Sequence, residues 1–399
     1  MSSKFLIFLV VVLIGCLAGV SSDIYIPSLP AIAGDLKTSI DEVQWTIAIF
    51  MLGLSISQLV YGPISDAIGR RLPLIIGMLI MILGSFICFY AINIKILIFG
   101  RFIQGLGAGA GASLWRAIFR DSFDGADLPK YGGYLSIIIP FVVPTSAIIG
   151  GYLQTYFGWR SSFLFLILYS LVTIFIVLFR FKETSAHHHK DRLSRKFFVE
   201  AFGQLLSSSV FMGYTICTFL SYGAFFAWFT VSPVLLIKVV GISPIEFGWI
   251  TSIGGGGTMI LAGLFNGKMV AKFGSHFMLR TGWALMFLAG SLMMILKFIY
   301  GINVVVIVIP MILFYFGSTL IWPSVFAGAF APFGKIAGYA ASLYSFMQLG
   351  GGAVISALAS YLPDNDQIPL AFIFIVCSTL SWGTFELIVL SKKNLQNIK

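Results

Sequence analysis

The chain has 399 residues, of which 58% are hydrophobic and 10% charged, with a formal net charge of +10. A soluble domain carries roughly 25% charged residues, so the charges here are too few to cover a water-exposed surface. Apolar stretches of about 20 residues recur instead, each long enough to cross a hydrocarbon core of ~30 Å as a helix. The alternating strands of about 10 residues that a membrane barrel requires are not seen.

The hydropathy pattern predicts twelve spans, at 5–28, 43–62, 72–92, 96–118, 131–153, 161–181, 207–236, 246–268, 277–299, 302–323, 338–361 and 367–390. Helices satisfy their own backbone hydrogen bonds in lipid, so the expected fold class is an all-α integral membrane protein. One long polar interruption, at 180–200, separates two sets of six. The predicted organisation is a six-helix bundle over 1–181, a cytoplasmic linker over 182–206 and a second six-helix bundle over 207–399. Lys4 and the apolar run after it also fit a secretory signal, and Leu13 to Cys16 resembles a lipoprotein cleavage site. Cleavage would leave eleven spans and break the six-plus-six arrangement, so this stretch is read as the first helix.

With both termini assigned to the cytoplasm, 19 of the 25 Lys and Arg residues fall on that side, among them Arg70, Arg71, Arg192, Arg195, Lys196, Lys392 and Lys393. The outer side receives Lys37, Lys95, Arg160, Lys238 and Lys297, and Arg101 lies inside a span. This bias follows the positive-inside rule. The positive charge therefore reports orientation. A nucleic-acid partner would need a folded soluble module, for which there is no room.

In chain order, the first chemically unusual residue is Asp23, near the outer end of span 1. A carboxylate inside an apolar helix is costly, and an intramembrane ionisable group is a functional candidate. The bland alternative is a helix-end residue reaching outer water. The loop after span 2 carries Gly62, Pro63, Asp66, Gly69, Arg70 and Arg71, a tight basic turn in which Asp66 can face the positive start of the next helix. Span 4 carries Arg101 at a depth that overlaps Asp23, so pairing would reduce the cost of burying both. It continues through Gln104 and Gly105, with Gly107, Gly109 and Gly111 following. A dinucleotide-binding turn needs a strand before such glycines. Inside a lipid-length helix they indicate close helix packing, as do Gly254 to Gly257 in span 8 and Gly350 to Gly352 in span 11. Pro140 and Pro144 interrupt the ladder of span 5 and are expected to bend it, and Gly150 and Gly151 allow tight contact beyond the bend. His187, His188 and His189 have no partner ligands near in sequence and read as a solvated linker. Tyr25 in span 1, Tyr222, Phe225, Phe226 and Trp228 in span 7, and Tyr315 and Trp322 in span 10 are candidates to line a substrate cavity. Aromatic faces suit amphipathic and cationic ligands, although each ring alone is better explained by core packing or contact with lipid. Glu386, near the cytoplasmic end of span 12, is the only other acidic residue well inside a predicted span. Cys16, Cys88, Cys217 and Cys377 are isolated in apolar spans and read as buried free thiols, with no metal-ligand spacing.

The two halves repeat weakly. Gly62 and Gly267 stand 205 residues apart and open loops of the same spacing, and Pro27 and Pro233 stand 206 apart near the outer ends of spans 1 and 7. Two parallel six-helix halves are a known transporter design.

These residues also carry a family resemblance. Gly62-x3-Asp66-x2-Gly69-Arg70-Arg71 resembles the signature between helices 2 and 3 of the major facilitator superfamily. Arg101-x2-Gln104-Gly105-x-Gly107 resembles the helix 4 signature of its proton-coupled members, and Pro140-x3-Pro144-x5-Gly150-Gly151 is similar to the helix 5 antiporter signature. The stretches Asp23 to Pro30, Trp115-Arg116-x3-Arg120-Asp121, Gly158 to Arg160 and Pro332 to Gly338 narrow the likeness to Bcr/CflA-type drug-resistance transporters, a branch of the drug:proton antiporters. The resemblance implies two pseudo-symmetric bundles around a central cavity and export of small amphipathic or cationic compounds in exchange for protons. It implies that Asp66 and its neighbours latch the two halves, and that helix 5 restricts leakage. The expected partners are a small-molecule substrate, protons and the lipid bilayer of a bacterial inner membrane. The chain is expected to act as a monomer, with no cofactor beyond the proton gradient. Rival readings are a dedicated metabolite, siderophore or amino-acid transporter of the same fold, and a membrane receptor without flux. An enzyme is disfavoured because no nucleophile–base pair or metal cluster stands out. An ATP-driven pump is disfavoured because no ATP-binding motif is present.

Overall fold

The computed structural model describes residues 3–185, 195–363 and 365–391. His187, His188 and His189, and the basic residues Arg192, Lys392 and Lys393, lie outside the described residues. The described residues form helices and no strands, and they divide into two compact units, Met1–Glu200 and Ala201–Lys399.

The first unit contains α1 (Ser3–Asp23), α2 (Leu29–Asp35), α3 (Ile40–Ile68), α4 (Arg71–Phe89), α5 (Ile94–Ser122), α6 (Asp127–Phe157) and α7 (Arg160–Arg180). A 3-10 turn over Ile26–Ser28 joins α1 to α2, so span 1 is one broken helix. Ser39 and Asn93 start α3 and α5 by accepting the N–H of Glu42 and Ile96 at 3.3 and 3.0 Å, the usual role of such side chains at an N-cap. α5 packs between α3 and α4. Its glycines permit this approach: a Cβ on Gly105 would meet the Phe50 carbonyl of α3, and one on Gly107 the Met81 amide of α4. Phe8, Val11, Leu74, Met78, Leu114 and Val177 fill the core at one end of this unit.

The second unit contains α9 (Ser209–Pro233), α10 (Pro244–Trp249), α11 (Thr258–Phe273), α12 (Ser275–Tyr300), α13 (Val304–Phe330), α14 (Ala337–Ser360) and α15 (Ile368–Thr384). Between the units in sequence, α8 (Arg195–Ser207) gives helical structure to part of the stretch read as a linker. Three spans of the second unit contain π-helical turns, at Val234–Val240, Ile250–Gly257 and Phe385–Leu390. The run Gly254 to Gly257 lies in the second of these. Only part of that run packs closely: Gly255 lies against the Tyr315 ring, whereas Gly257 faces open space. Gly351 fits the packing expectation better, since a Cβ there would meet the Phe219 carbonyl.

Twelve long helical stretches result among the described residues. Eleven are apolar enough to cross a membrane by length and composition alone, and the exception is α5. The most polar of the spans is the one buried between its neighbours, which is where Arg101 and Gln104 are tolerable. α6 runs unbroken as a helix through Pro140 and Pro144.

The internal repeat is written in the caps. Ser243 caps α10 as Ser39 caps α3, and Asn303 caps α13 as Asn93 caps α5. Gly69 and Gly274 both take positive φ, +98° and +79°, at matching turns, a conformation that favours glycine. All four cysteines are buried and free.

Candidate functional site

Two groups of candidate residues come together inside the first unit. The inner group surrounds Arg101, which is fully buried. Its guanidinium lies between two rings, 4.1 Å from the centroid of Tyr25 and 4.0 Å from that of Phe50. Nη1 donates to the Ser21 carbonyl at 3.1 Å and to Oε1 of Gln104. Gln104 in turn donates to Ser85 at 2.8 Å, and the Tyr25 hydroxyl shares a 2.9 Å hydrogen bond with Thr46. Among the described residues, Nε and Nη2 of Arg101 have no hydrogen-bond partner.

Asp23 is buried, with 6% of its surface exposed. No basic side chain among the described residues forms an ion pair with it. The expected Asp23–Arg101 pair is therefore not made in this structure. Arg101 lies close to Asp23 along the chain, since it bonds to Ser21 two residues away, but its guanidinium is held instead by the Ser21 carbonyl, by Gln104 and between the Tyr25 and Phe50 rings. Glu386 is engaged elsewhere. Its carboxylate takes both nitrogens of Arg280 at 2.6 and 2.9 Å and the Trp382 indole N–H at 3.1 Å.

The second group is the turn between α3 and α4. Arg70, 7% exposed, donates to Asp66 at 2.5 Å, Ser65 at 2.7 Å and Asp121 at 3.0 Å. Burial alone would pull its pKa down. The carboxylates of Asp66 and Asp121 outweigh that and hold it above the usual arginine value. Asp121 ends α5, so the charges join three helices at one end of the unit. Arg120 is exposed beside it, and Arg116 stacks over Trp115 at 4.4 Å. Gly150 of α6 lies against the Ile24 carbonyl, where α1 breaks.

The residue that sequence reasoning missed is Glu183. Its carboxylate accepts the backbone N–H of Arg70 at 2.8 Å and of Arg71 at 3.0 Å. It also accepts the N–H of Thr184 and Ser185 at 3.0 and 2.9 Å. The carboxylate at the positive start of α4 is therefore Glu183, and Asp66 serves Arg70 instead. A side chain on Gly69 would collide with Glu183. An acidic residue just past the end of α7 opposes that helix's own dipole, which was the available hint that it serves another helix. Burial raises its pKa, but the four backbone donors outweigh burial and hold it below the ordinary glutamate value of 4.5. Because the folded value is the lower one, the cap contributes fully at neutral pH and is lost as pH falls through that value. Glu183→Ala is expected to cost about 1 kcal/mol, or roughly 2–4 °C in the unfolding midpoint for a unit of this size. The difference from the unchanged protein should begin to shrink as pH falls towards 4.5 and vanish only below the lower, folded value. Equal midpoints at neutral pH would show that the cap contributes nothing.

The aromatic candidates separate by burial. Tyr25 and Trp228 are fully buried and Tyr315 is 2% exposed, so within their own units these rings are packing elements; Tyr25 is the platform for Arg101. Tyr222, Phe225 and Trp322 are half-buried. Tyr222 lies 5.5 Å from Trp322, and Phe225 lies 5.0 Å from Tyr315 and 5.3 Å from Trp322. The Trp322 indole N–H donates to Ser221 at 3.3 Å. Together these rings form an aromatic wall on α9 and α13 with hydroxyl groups at its edge.

The profile of the Major Facilitator Superfamily matches residues 11–356. Over 389 residues the chain is 30% identical to the uncharacterized MFS-type transporter YdgK of Bacillus subtilis, covering 96% of this chain and 94% of the relative. It is 27% identical to a bicyclomycin resistance protein homolog of Haemophilus influenzae, with 95% of each covered. It is 28% identical to multidrug resistance protein D of Escherichia coli, with 94% and 93% covered. The xylose transporter XylE of E. coli, in a partially occluded inward-open conformation, superposes with a TM-score of 0.73 at 14% identity over 98% of both chains.

Proposed function

The chain belongs to the Major Facilitator Superfamily, and from that premise we propose that it is a bacterial inner-membrane exporter that exchanges small amphipathic compounds for protons. It is a transporter in this reading, with no catalytic step and no cofactor. The observation that carries the reading is the buried carboxylate of Asp23, without an ion pair among the described residues and two residues along the chain from Ser21, which bonds Arg101. A carboxylate that must be discharged in apolar surroundings and charged when hydrated is a proton carrier that responds to which side is open. The resistance proteins among the relatives support a drug-like substrate. The half-buried Tyr222, Phe225 and Trp322 offer such a molecule a flat apolar contact. The basic bias supports a cytoplasmic location for both termini. The Asp66–Arg70–Asp121 group then lies on the cytoplasmic side, where it holds α3, α4 and α5 together at the latch.

Energetically the exchange is sufficient. A proton entering down 100 mV yields ~2.3 kcal/mol, and a tenfold substrate gradient costs about 1.4 kcal/mol. The test is purified protein in proteoliposomes with an imposed pH gradient and a panel of neutral, cationic and zwitterionic compounds. Accumulation of several unrelated amphipathic compounds, abolished by a protonophore, is the expected result. Transport of one metabolite alone would favour the dedicated-transporter reading, and binding without flux would favour a receptor.

A further inference from the structure

The transport reading leaves unused a groove at one end of the first unit. Its apolar walls are Phe89 of α4, Leu153 and Phe157 of α6, and Leu164 and Leu168 of α7, and its volume is about 490 Å³. From Arg160 to Leu168, α7 rises about 12 Å, most of a hydrocarbon leaflet roughly 15 Å deep.

Arg160 also lines the groove. It stacks over Trp159 at 4.1 Å and donates to Asp35 Oδ2 at 2.7 Å and to the Ala91 carbonyl at 2.9 Å. The Trp159 indole N–H donates to the same Oδ2 at 2.9 Å. These bonds fix a positive and a negative group side by side, yet their side chains keep 39% and 49% of their surface exposed. The mouth is thus a built dipole beside an apolar trough.

A free anion or cation makes no use of the trough. An anionic lipid would match Arg160 but be repelled by Asp35. A choline headgroup has no N–H to give a carboxylate. A headgroup with a phosphate for Arg160 and a primary ammonium for Asp35 satisfies both charges, while its acyl chain fills the trough. We propose that this groove is a binding site for one zwitterionic phospholipid of the phosphatidylethanolamine class. The inference needs only that these helices span a membrane, and it stands or falls independently of drug export.

The test is native mass spectrometry of the purified full chain titrated with phosphatidylethanolamine, phosphatidylcholine and phosphatidylglycerol of identical acyl chains. The ethanolamine lipid should bind about three- to fivefold more tightly than the other two, the upper part of the range an exposed charge pair supplies. Asp35→Asn should remove that preference while leaving choline-lipid binding unchanged. Leu164→Trp, which fills the trough, should weaken all three lipids by a similar factor. Circular dichroism and the unfolding midpoint identify any variant that fails to fold, and for such a variant the wild-type headgroup order alone decides. Equal binding of the three headgroups, a preference for the glycerol lipid, an ethanolamine preference that survives Asp35→Asn, or lipid binding that Leu164→Trp leaves unchanged would overturn the assignment. So would a transport substrate that shields Leu164→Cys from labelling when the lipid does not, because the groove would then belong to the substrate.

Discussion

Asp23→Asn is expected to abolish substrate-driven proton release and to reduce pH-gradient-driven accumulation by about 5- to 150-fold, the range that ordinary coupling free energies between two sites produce. The substitution keeps the volume and the hydrogen-bonding edge of the side chain and removes its proton. Asp23 is 6% exposed and ends α1 where the chain tightens into a 3-10 turn, so a small unwinding there would move it between packed and hydrated surroundings. The other acidic candidate is already committed, because Glu386 is held by two nitrogens of Arg280 and by Trp382. Glu386→Gln should therefore lower stability and leave coupling intact. The measurement is internal pH in proteoliposomes on addition of substrate, with downhill substrate exchange as the control. Asp23→Asn should retain the exchange of neutral compounds and lose the pH change. Full gradient-driven transport in Asp23→Asn would move the coupling site elsewhere.

Hydropathy alone predicts all twelve spans, including α5, because α5 still has the length of a span and stands between clear neighbours. The same count shows where local reasoning stops. Span 1 is read as one helix, but Pro27 and the serines around it allow a 3-10 turn, and the chain there is met by distant residues, Gly150 of α6 and Ser162 of α7 at the Ile24 carbonyl. The proximity of Asp23 and Arg101 is legible from depth. Their failure to pair is not, because the groups that hold the guanidinium instead, Phe50 and Gln104 among them, come from other positions in the fold. Glu183 stands 113 residues from the Arg70 amide it caps, and no local spacing encodes a contact of that kind. The glycines of α5 are read as packing residues from their surroundings, and the structure finds helix backbones against Gly105 and Gly107. Those of Gly254 to Gly257 look the same in sequence but sit in a π-helical turn, where Gly255 meets the Tyr315 ring and Gly257 meets nothing.

Arg101 gives the sharpest separation of stability from function. Its guanidinium is fully buried, stacked between Tyr25 and Phe50, and bonded through one nitrogen to Ser21 and Gln104, with the other two nitrogens unpartnered. Desolvating a cation costs several kcal/mol. Two charged hydrogen bonds return about 1.5–3 kcal/mol each, and stacking on aromatic faces returns about 2. These terms nearly cancel, so Arg101→Met, which keeps the length and fills the space between the rings, should leave the unfolding midpoint unchanged or raise it, as replacement of buried charges by apolar groups often does. Transport should nevertheless fall more than about tenfold, because the Met variant has no positive charge for Asp23 to meet when α1 turns, and a coupling of ordinary size is lost. Arg101→Lys keeps the charge but not the planar group that fits between two rings; it should restore part of the transport and shift its pH profile, while lowering the midpoint. A purely structural arginine predicts the opposite order: Met would then preserve transport wherever it preserves the fold. Thermal unfolding and proteoliposome flux measured on the same three preparations decide between them. A Met variant that is both stable and active would remove Arg101 from the mechanism.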